Sequence, residues 1–440
     1  MIIEFKTSNF GVFKEEAVLS LVPDLEDEPE RARIAVLKKG EHRANAMAAM
    51  YGYTGAGKTT LIKALDVFRR ILGNRGSIRD NFGTNSPFLT SQQFSYIPNW
   101  ELQDQPTGFG IEVVVDLIKI EYAFSIEGLT ADEQTRRIAS ESLTIGGVLI
   151  FERQGSLVEV NPEVGGLWSK LLTTQELGVK EPMCCHELFL TNITTLEVSD
   201  RYAVIAKSFL NWVDKSLIII PNEDSLRQAA NRVFEKEQLD MCFGRVFETL
   251  MKLGARKMTL KRTPRFKYEV VSEVSPNRWI ETSQVESRGI THLVYLLPVL
   301  MEALINGRTL VIDDFDSNLH TFKAQNIFKM FHDPEVNAKT AQLIVGVNNA
   351  DYMTNALLRK EEIVFVSRID PERQPDKSGS EVYALSDFEI ANPDGYAEYT
   401  ENYYQGAYGS FVGDEASNLF EMWRAVGFKE NNEEKDRLRV

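Results

Sequence analysis

The sequence predicts an α/β fold with mixed and parallel sheets and a helical insert, and three features carry that prediction. A glycine-rich loop, Gly52-Tyr53-Thr54-Gly55-Ala56-Gly57-Lys58-Thr59-Thr60, joins an apolar strand to an amphipathic helix. An apolar run over residues 309–312 ends in two acids, Asp313 and Asp314. Around these, helical patterns alternate with short buried strands, as they do in a doubly wound parallel sheet.

Each element can be read in order. Ile3 and Phe5, then Ala17, Leu19 and Leu21, alternate as two half-buried strands about a turn at Asn9-Phe10-Gly11. The acidic run over 24–30 reads as a solvated loop. The segment AMAAMY supplies the strand before the glycine-rich loop, and residues 75–100, rich in Gly, Asn, Ser, Pro and Gln, read as a long irregular connection. IEVVVDL and YAFSIEGL, within 109–152, indicate an antiparallel sheet. Residues 167–254 read mainly as helices, KEQLDMCFGRVFETLMKLG most clearly, and 258–273 as strands. A helix over 290–306, the strand over 309–312, and the strands AQLIVGV and EIVFVSR complete the second half. The expected units are a first lobe over 1–155, a helical insert over 156–255, a second lobe over 256–428 and a charged tail over 429–440. No internal repeat is present.

Composition narrows the classes of function. At 440 residues and 43% hydrophobic the chain can bury a large core. Its net charge of −15 excludes a surface that is basic all over and leaves room only for a local basic patch. Three cysteines make no disulfide framework, and the five histidines fall in no metal-ligand spacing. The N-terminal MIIEFKTSNF lacks the basic start and apolar run of a leader. The longest apolar stretch, 290–305, contains His292, Pro298 and Glu302 and reads as a buried helix, not a membrane span. The expectation is a cytoplasmic protein with no membrane partner.

The chemistry starts at the glycine-rich loop. Glycines let backbone N–H groups turn inward around phosphates, and the following helix presents its N-terminus to them. Lys58 neutralises the β/γ oxygens and Thr59 ligates magnesium, so the expected cofactors are ATP and Mg2+. Gly52, Thr54, Gly55, Ala56, Gly57, Lys58, Thr59 and Thr60 are the candidate phosphate contacts. The same chemistry requires an acid at the end of a buried strand, and Asp313 is assigned to the magnesium shell. Burying charge without such a partner costs several kcal/mol.

Glu286-Ser287-Arg288-Gly289 opens the long apolar helix upstream of those acids. A serine there is an ordinary helix cap. Its place in the chain also resembles the ABC signature, whose serine and helix N-terminus bind the γ-phosphate of a nucleotide held by the opposite subunit. The loop YGYTGAGKTT, the stretch ESRGITHLVYLLPVLMEALINGRTLVIDDFDSNLH and QLIVGVNNADYM together resemble the RecF/SMC-like ATPases of the RloA and OLD group. PEVNAKTAQLIVG, LLRKEEIVFVSR, SEVYALSDFE, YYQGAYG, FERQG and NWVDKSLIIIP add to the likeness, which covers most of the chain in order. The resemblance implies an ABC-ATPase head that sandwiches ATP between two copies. Ser287 and Gly289 of one copy would then complete the site of the other. Many members are antiphage defence ATPases, among them the AriA subunit of PARIS and the PtuA subunit of Septu, so a separate effector such as a nuclease is the implied partner.

Departures from that family carry their own expectation. Asp314 stands where a glutamate polarises the attacking water, and Asn348, followed by Asn349, where a histidine senses the γ-phosphate. Asparagine can neither act as a general base nor carry positive charge. Both changes favour binding of ATP over its hydrolysis, with Lys58, Asp313 and Asp314 as the catalytic set. Leu319-His320 keeps the cross-dimer loop, with Thr321 where the family has proline. Gln92 and Gln93 are placed either in a magnesium-following loop or in a plain polar one. Phe10 and Phe13 border an adenine or belong to the core. Cys184-Cys185-His186 reads as packing or a helix end. The cluster Arg256, Lys257, Lys261, Arg262, Arg265 and Lys267 is either the solvent face of a strand pair or a contact for nucleic acid.

Overall fold

The alternating start of the chain becomes β1 (Ile2–Ser8) and β2 (Ala17–Ser20), antiparallel with Phe5 opposite Leu19. This computed structural model describes residues 1–24, 36–73, 98–127, 136–164, 168, 186–195, 200–235, 240–263, 268–369, 377–388 and 398–409. The acidic loop beyond residue 24, Gln92 and Gln93, Cys184 and Cys185, Arg265 and Lys267, and the charged tail lie outside the described residues. A short hairpin of β3 (Leu37–Lys39) and β4 (His42–Ala44) leads to the wholly buried β5 (Met47–Tyr51). Helix α1 (Lys58–Gly73) follows the glycine-rich loop and buries Leu61, Ile62, Leu65, Phe68 and Leu72, the three-and-four spacing of one helical face.

Five strands then run as a meander: β6 (Thr107–Val115), β7 (Ile118–Glu127), β8 (Arg137–Ile145), β9 (Val148–Gln154) and β10 (Leu157–Val160). With β1 and β2 they form one seven-stranded antiparallel sheet, in the order β10-β9-β8-β7-β6-β1-β2. Helix α2 (Arg201–Lys215) starts at Asp200, whose carboxylate accepts from the Ala203 N–H. Next comes β11 (Leu217–Ile220), a strand inside the stretch that reads mainly as helical. Its four-residue apolar run is too short for periodicity to separate strand from helix. Its pairing with a distant strand decides the matter.

Helices α3 (Glu223–Phe234) and α4 (Asp240–Lys252) precede a three-stranded sheet of β12 (Met258–Arg262), β13 (Tyr268–Ser275) and β14 (Arg278–Glu281). Helix α5 (Arg288–Asn306) ends at Gly307 in the left-handed conformation, where a Cβ would meet the Lys339 carbonyl oxygen at 2.3 Å. That cap turns the chain straight into β15 (Thr309–Ile312). Helix α6 (Thr321–His332), β16 (Gln342–Gly346), β17 (Ile363–Arg368), β18 (Ser380–Ala384) and α7 (Glu398–Tyr404) complete the described chain.

The second large sheet has the order β11-β15-β16-β5-β17-β18, with only β18 antiparallel to its neighbour. Its strands face two cores. Ala48 and Met50 of β5 join α1 and the antiparallel sheet, while Met47, Ala49 and Tyr51 join α3, α5 and α6 on the other side. Burial on both faces explains the unbroken apolar runs, each large side chain contributing about 1.5–3 kcal/mol. The two sheets are tied by Gln342, fully buried, which accepts from the Ile2 N–H at 2.5 Å and donates to the Ile2 carbonyl at 2.9 Å. Among the described residues one helix, Arg288–Asn306, is long and apolar enough to cross a membrane. With 72% of that window buried, it is a core helix of this fold.

Candidate functional site

Parallel strands deliver their carboxyl ends to one edge of the sheet, where α/β folds hold ligands. The neighbours β15, β16 and β5 end there, followed respectively by Asp313-Asp314, by Asn348 and by the glycine-rich loop. Three sequence-distant segments are thereby brought side by side.

The loop's backbone demands glycine at two positions. A Cβ on Gly52 would lie 2.2 Å from the Val366 carbonyl oxygen, and one on Gly57, at φ 125°, would lie 2.8 Å from Val12. Ala56 is buried beneath, whereas Thr54 and Gly55 are exposed at the mouth. Thr60 packs on the Asn9–Gly11 turn, its methyl 2.6 Å from where a Cβ on Gly11 would sit. Phe10 and Phe13 are 3% and 0% exposed and belong to the core under this loop. Lys58 is buried and donates its ammonium to the Gly52 carbonyl. Burial holds its pKa below the usual lysine value, against the opposing pull of Asp313, Asp314 and Asp316. A glycine-rich loop before a helix N-terminus, with a buried lysine beside it, is an arrangement that can hold phosphate oxygens.

Thr59 Oγ1 donates to Asp313 Oδ2 at 2.6 Å. Those two hard oxygen donors fit magnesium, which takes one or two side-chain ligands and completes its shell with water and phosphate. Among the described residues no group of three or more His, Cys, Asp or Glu is placed to hold a metal. Burial raises the Asp313 pKa, and the Thr59 hydroxyl works against that rise. Gly346, at the end of β16, leaves room for the carboxylate, since a Cβ there would come within 2.8 Å of Asp313 Oδ1.

Asp314 is exposed and takes φ 47°, a left-handed conformation that aspartate tolerates better than most residues. Its Oδ1 accepts from Asn348 Nδ2 at 3.2 Å. Asp316, unmarked by any sequence motif, accepts from the backbone N–H groups of Asn348 and of Asn349, the latter at 2.8 Å. Asn349 Nδ2 donates to Thr321 Oγ1 at 2.9 Å. The loop after β15 and the loop after β16 are thus latched together by short polar side chains.

Ser287 caps α5, its Oγ accepting from the Ile290 N–H at 3.3 Å. Gly289 lies against the loop after β15, a Cβ on it being 3.2 Å from the Asn318 carbonyl oxygen. Helix α5 runs back along β15, and nineteen residues reach roughly 28 Å where four strand residues span roughly 13 Å. Ser287 is exposed, and its side-chain bond stays within its own helix. His320 is exposed and caps α6, its Nδ1 accepting from the Phe322 N–H at 3.2 Å.

Several further contacts were not legible in the sequence. Arg256 donates to the Val285 carbonyl at 2.7 Å and lies 3.4 Å from the buried Glu286 carboxylate, so it braces the turn that presents Ser287. Lys257 pairs with Glu273 and lies over the Trp279 ring. Both cations serve the fold locally, while Lys261 and Arg262 are exposed on β12. His186 Nδ1 lies 2.6 Å from the Arg136 carbonyl, a packing role. The Tyr403 hydroxyl hydrogen-bonds the Gly52 backbone, and burial pushes its pKa up to about 12. No local pattern announces these contacts, because each joins residues from separate elements.

The architecture is an antiparallel sheet and a mostly parallel sheet about the helix that follows the glycine-rich loop, the mixed α/β class that the sequence predicts. No family model and no curated protein matches the chain. Among solved structures it is similar to the SMC head domain from Thermotoga maritima, at 14% identity and TM-score 0.38, over 88% of this chain and 99% of that one. It is similar also to the Smc head domain with an extended coiled coil, bound to the C-terminal domain of ScpA, derived from Pyrococcus furiosus. That likeness has 11% identity and TM-score 0.38, over 87% of this chain and 96% of that one.

Proposed function

We propose that this chain is a cytoplasmic ABC-type ATPase that binds Mg-ATP, hydrolyses it slowly and closes it between two copies of itself. In this reading it is a sensor or scaffold for a separate effector such as a nuclease, in antiphage defence of the RloA/OLD kind. The observation that carries the ATPase reading is the meeting of Lys58, Thr59 and Asp313 at one sheet edge. Lys58 and the loop N–H groups hold the phosphates. Thr59 and Asp313 hold magnesium, which when bound neutralises phosphate charge. Ser287, exposed at the N-terminus of α5, serves the nucleotide of the facing copy. The role in defence rests on the sequence resemblance.

Slow turnover follows from the catalytic shell. Asp314 is shorter than glutamate and is engaged by the Asn348 amide, and neither Asn348 nor Asn349 offers a base. A long-lived ATP-bound state suits a complex that stays assembled until triggered. The rival reading, a DNA-bound motor head of repair or chromosome type, needs brisk cycling and a basic face. Here Arg256 and Lys257 are already held by Glu286 and Glu273.

The test is an ATP titration on Lys58→Ala. Loss of ATP binding is expected, and unchanged affinity removes the phosphate-loop reading. Mass measurement of the complex purified with the products of neighbouring genes then identifies the effector, and a chain that purifies alone argues against the scaffold role.

A further inference from the structure

A second cavity lies away from the phosphate loop, at the free edge of β11, and measures about 470 Å3. Its size falls in the range of small-ligand sites. Four elements bring a cation to its wall: Arg69 from α1, Lys215 from the end of α2, Arg232 from α3 and Arg308 from the turn into β15. Among the described residues lining it only Asp214 and Glu302 oppose them, so that lining is net positive on a chain of net charge −15.

The cations are incompletely used by the fold. Arg308 Nη2 pairs with Glu302 at 2.7 Å and Nη1 donates to the Lys215 carbonyl, yet its Nε is buried without a hydrogen-bond partner. Arg69 Nη2 reaches Asp66 at 3.2 Å, and its Nε is likewise buried without one. Among the described residues Lys215 and Arg232 have no carboxylate partner. Opposite this rim, Ile218, Val233 and Val299 give an apolar wall. Ser225, Gln228, Ala229 and Arg232 line it as one stripe of α3, spaced as a helix face is.

We propose that this cavity binds a phosphorylated nucleoside, its phosphate on the arginine–lysine rim and its base on the apolar wall. Guanidinium forks suit phosphate oxygens, and the exposed Lys215 and Arg232 present donors to the cavity that no carboxylate among the described residues engages. The site is separate from the phosphate loop, since Arg69 lies about 17 Å along α1 from Lys58. It also touches both helices that matter to the ATP site: α1, which leaves the phosphate loop, and α5, which begins at Ser287. A ligand here ties those two helices together, which makes it a regulator of closure around ATP.

The experiment uses the full chain carrying Lys58→Ala, so that the phosphate loop is disabled, with AMP as the probe in calorimetry. Saturable AMP binding is expected, weakened at least about tenfold, or about 1.4 kcal/mol, by Lys215→Glu with Arg232→Glu. Both substituted side chains are exposed, and circular dichroism checks that the fold is kept. On the otherwise native chain the same pair should leave ATP affinity unchanged. No saturable AMP binding up to about 1 mM, or binding that survives the two charge reversals, overturns the proposal.

Discussion

The Asn348 side-chain amide donates to the Asp314 carboxylate across 3.2 Å, so two of the residues that depart from the resembled pattern touch each other. In the proposed reading each stands where the resembled ATPases have a group that acts on water or phosphate, and together they form a neutral-donor-to-carboxylate pair. The pair behaves as a unit. Loss of a positioned base or polariser costs about 10²–10⁴-fold from a typical rate of about 10 s⁻¹, giving turnover between about 0.1 and about 0.001 s⁻¹. Asp314→Glu with Asn348→His should raise hydrolysis by more than the product of the single changes, measured as phosphate release. Hydrolysis by the natural protein at several per second sinks this account.

The same substitution has a cost that depends on backbone conformation. Asp314 sits at φ 47°, where glutamate lacks the local hydrogen bonding that eases aspartate into left-handed geometry. Asp314→Glu should therefore lose about 1 kcal/mol of stability, read as a lower unfolding midpoint in urea. An unchanged midpoint shows that the loop relaxes.

Removal of magnesium tests the contact between Thr59 and Asp313. Asp313→Asn keeps the shape of the side chain and the hydrogen bond from Thr59 but removes the charge that binds the metal. ATP affinity in Mg2+ should fall to the value the native protein shows in EDTA, and hydrolysis by about 10²-fold or more. An Asp313→Asn protein that still gains affinity on adding Mg2+ shows that the ligand lies elsewhere.

Assembly depends on Ser287 if two copies share the nucleotide. Ser287→Arg loses a helix cap worth about 1 kcal/mol and should leave a folded protomer that still binds ATP. Light scattering should then show no increase in mass with ATP. Assembly that persists returns Ser287 to the role of a cap alone. Arg256→Ala, which frees the Val285–Glu286 turn, should weaken ATP-driven assembly while sparing ATP affinity.

Stability at acid pH reports on the join between α3 and α5. His292 Nδ1 lies 2.8 Å from Glu223 Oε2, and this bond, with Arg227 nearby, holds the Glu223 carboxyl below the usual range despite partial burial. A carboxyl depressed in the folded state adds stability above its unfolded pKa and loses it as pH falls through the folded one. The stability gap between the native protein and Glu223→Gln should thus shrink between about pH 5 and about pH 3. Denaturant unfolding across that range checks the sign, and a gap that widens toward acid refutes the pairing.

What the sequence by itself determined is local. The glycine spacing before Lys58, the apolar run before Asp313, the serine before α5 and the alternation in β6–β9 each encode a backbone conformation within a few residues. They also fixed the fold class, because helices alternating with strands buried on both faces leave few ways to pack. Strand order lay beyond reach. Parallel pairing placed β16 between β15 and β5, and only that placement brings Thr59 to Asp313 and Asn348 to Asp314. It also claimed Leu217–Ile220, a run too short to declare itself, as the edge strand β11. The contacts of Asp316, Arg256 and Tyr403 were invisible for the same reason. A hydrogen bond between residues from different elements is created by packing, and nothing in the neighbouring residues of either partner records it.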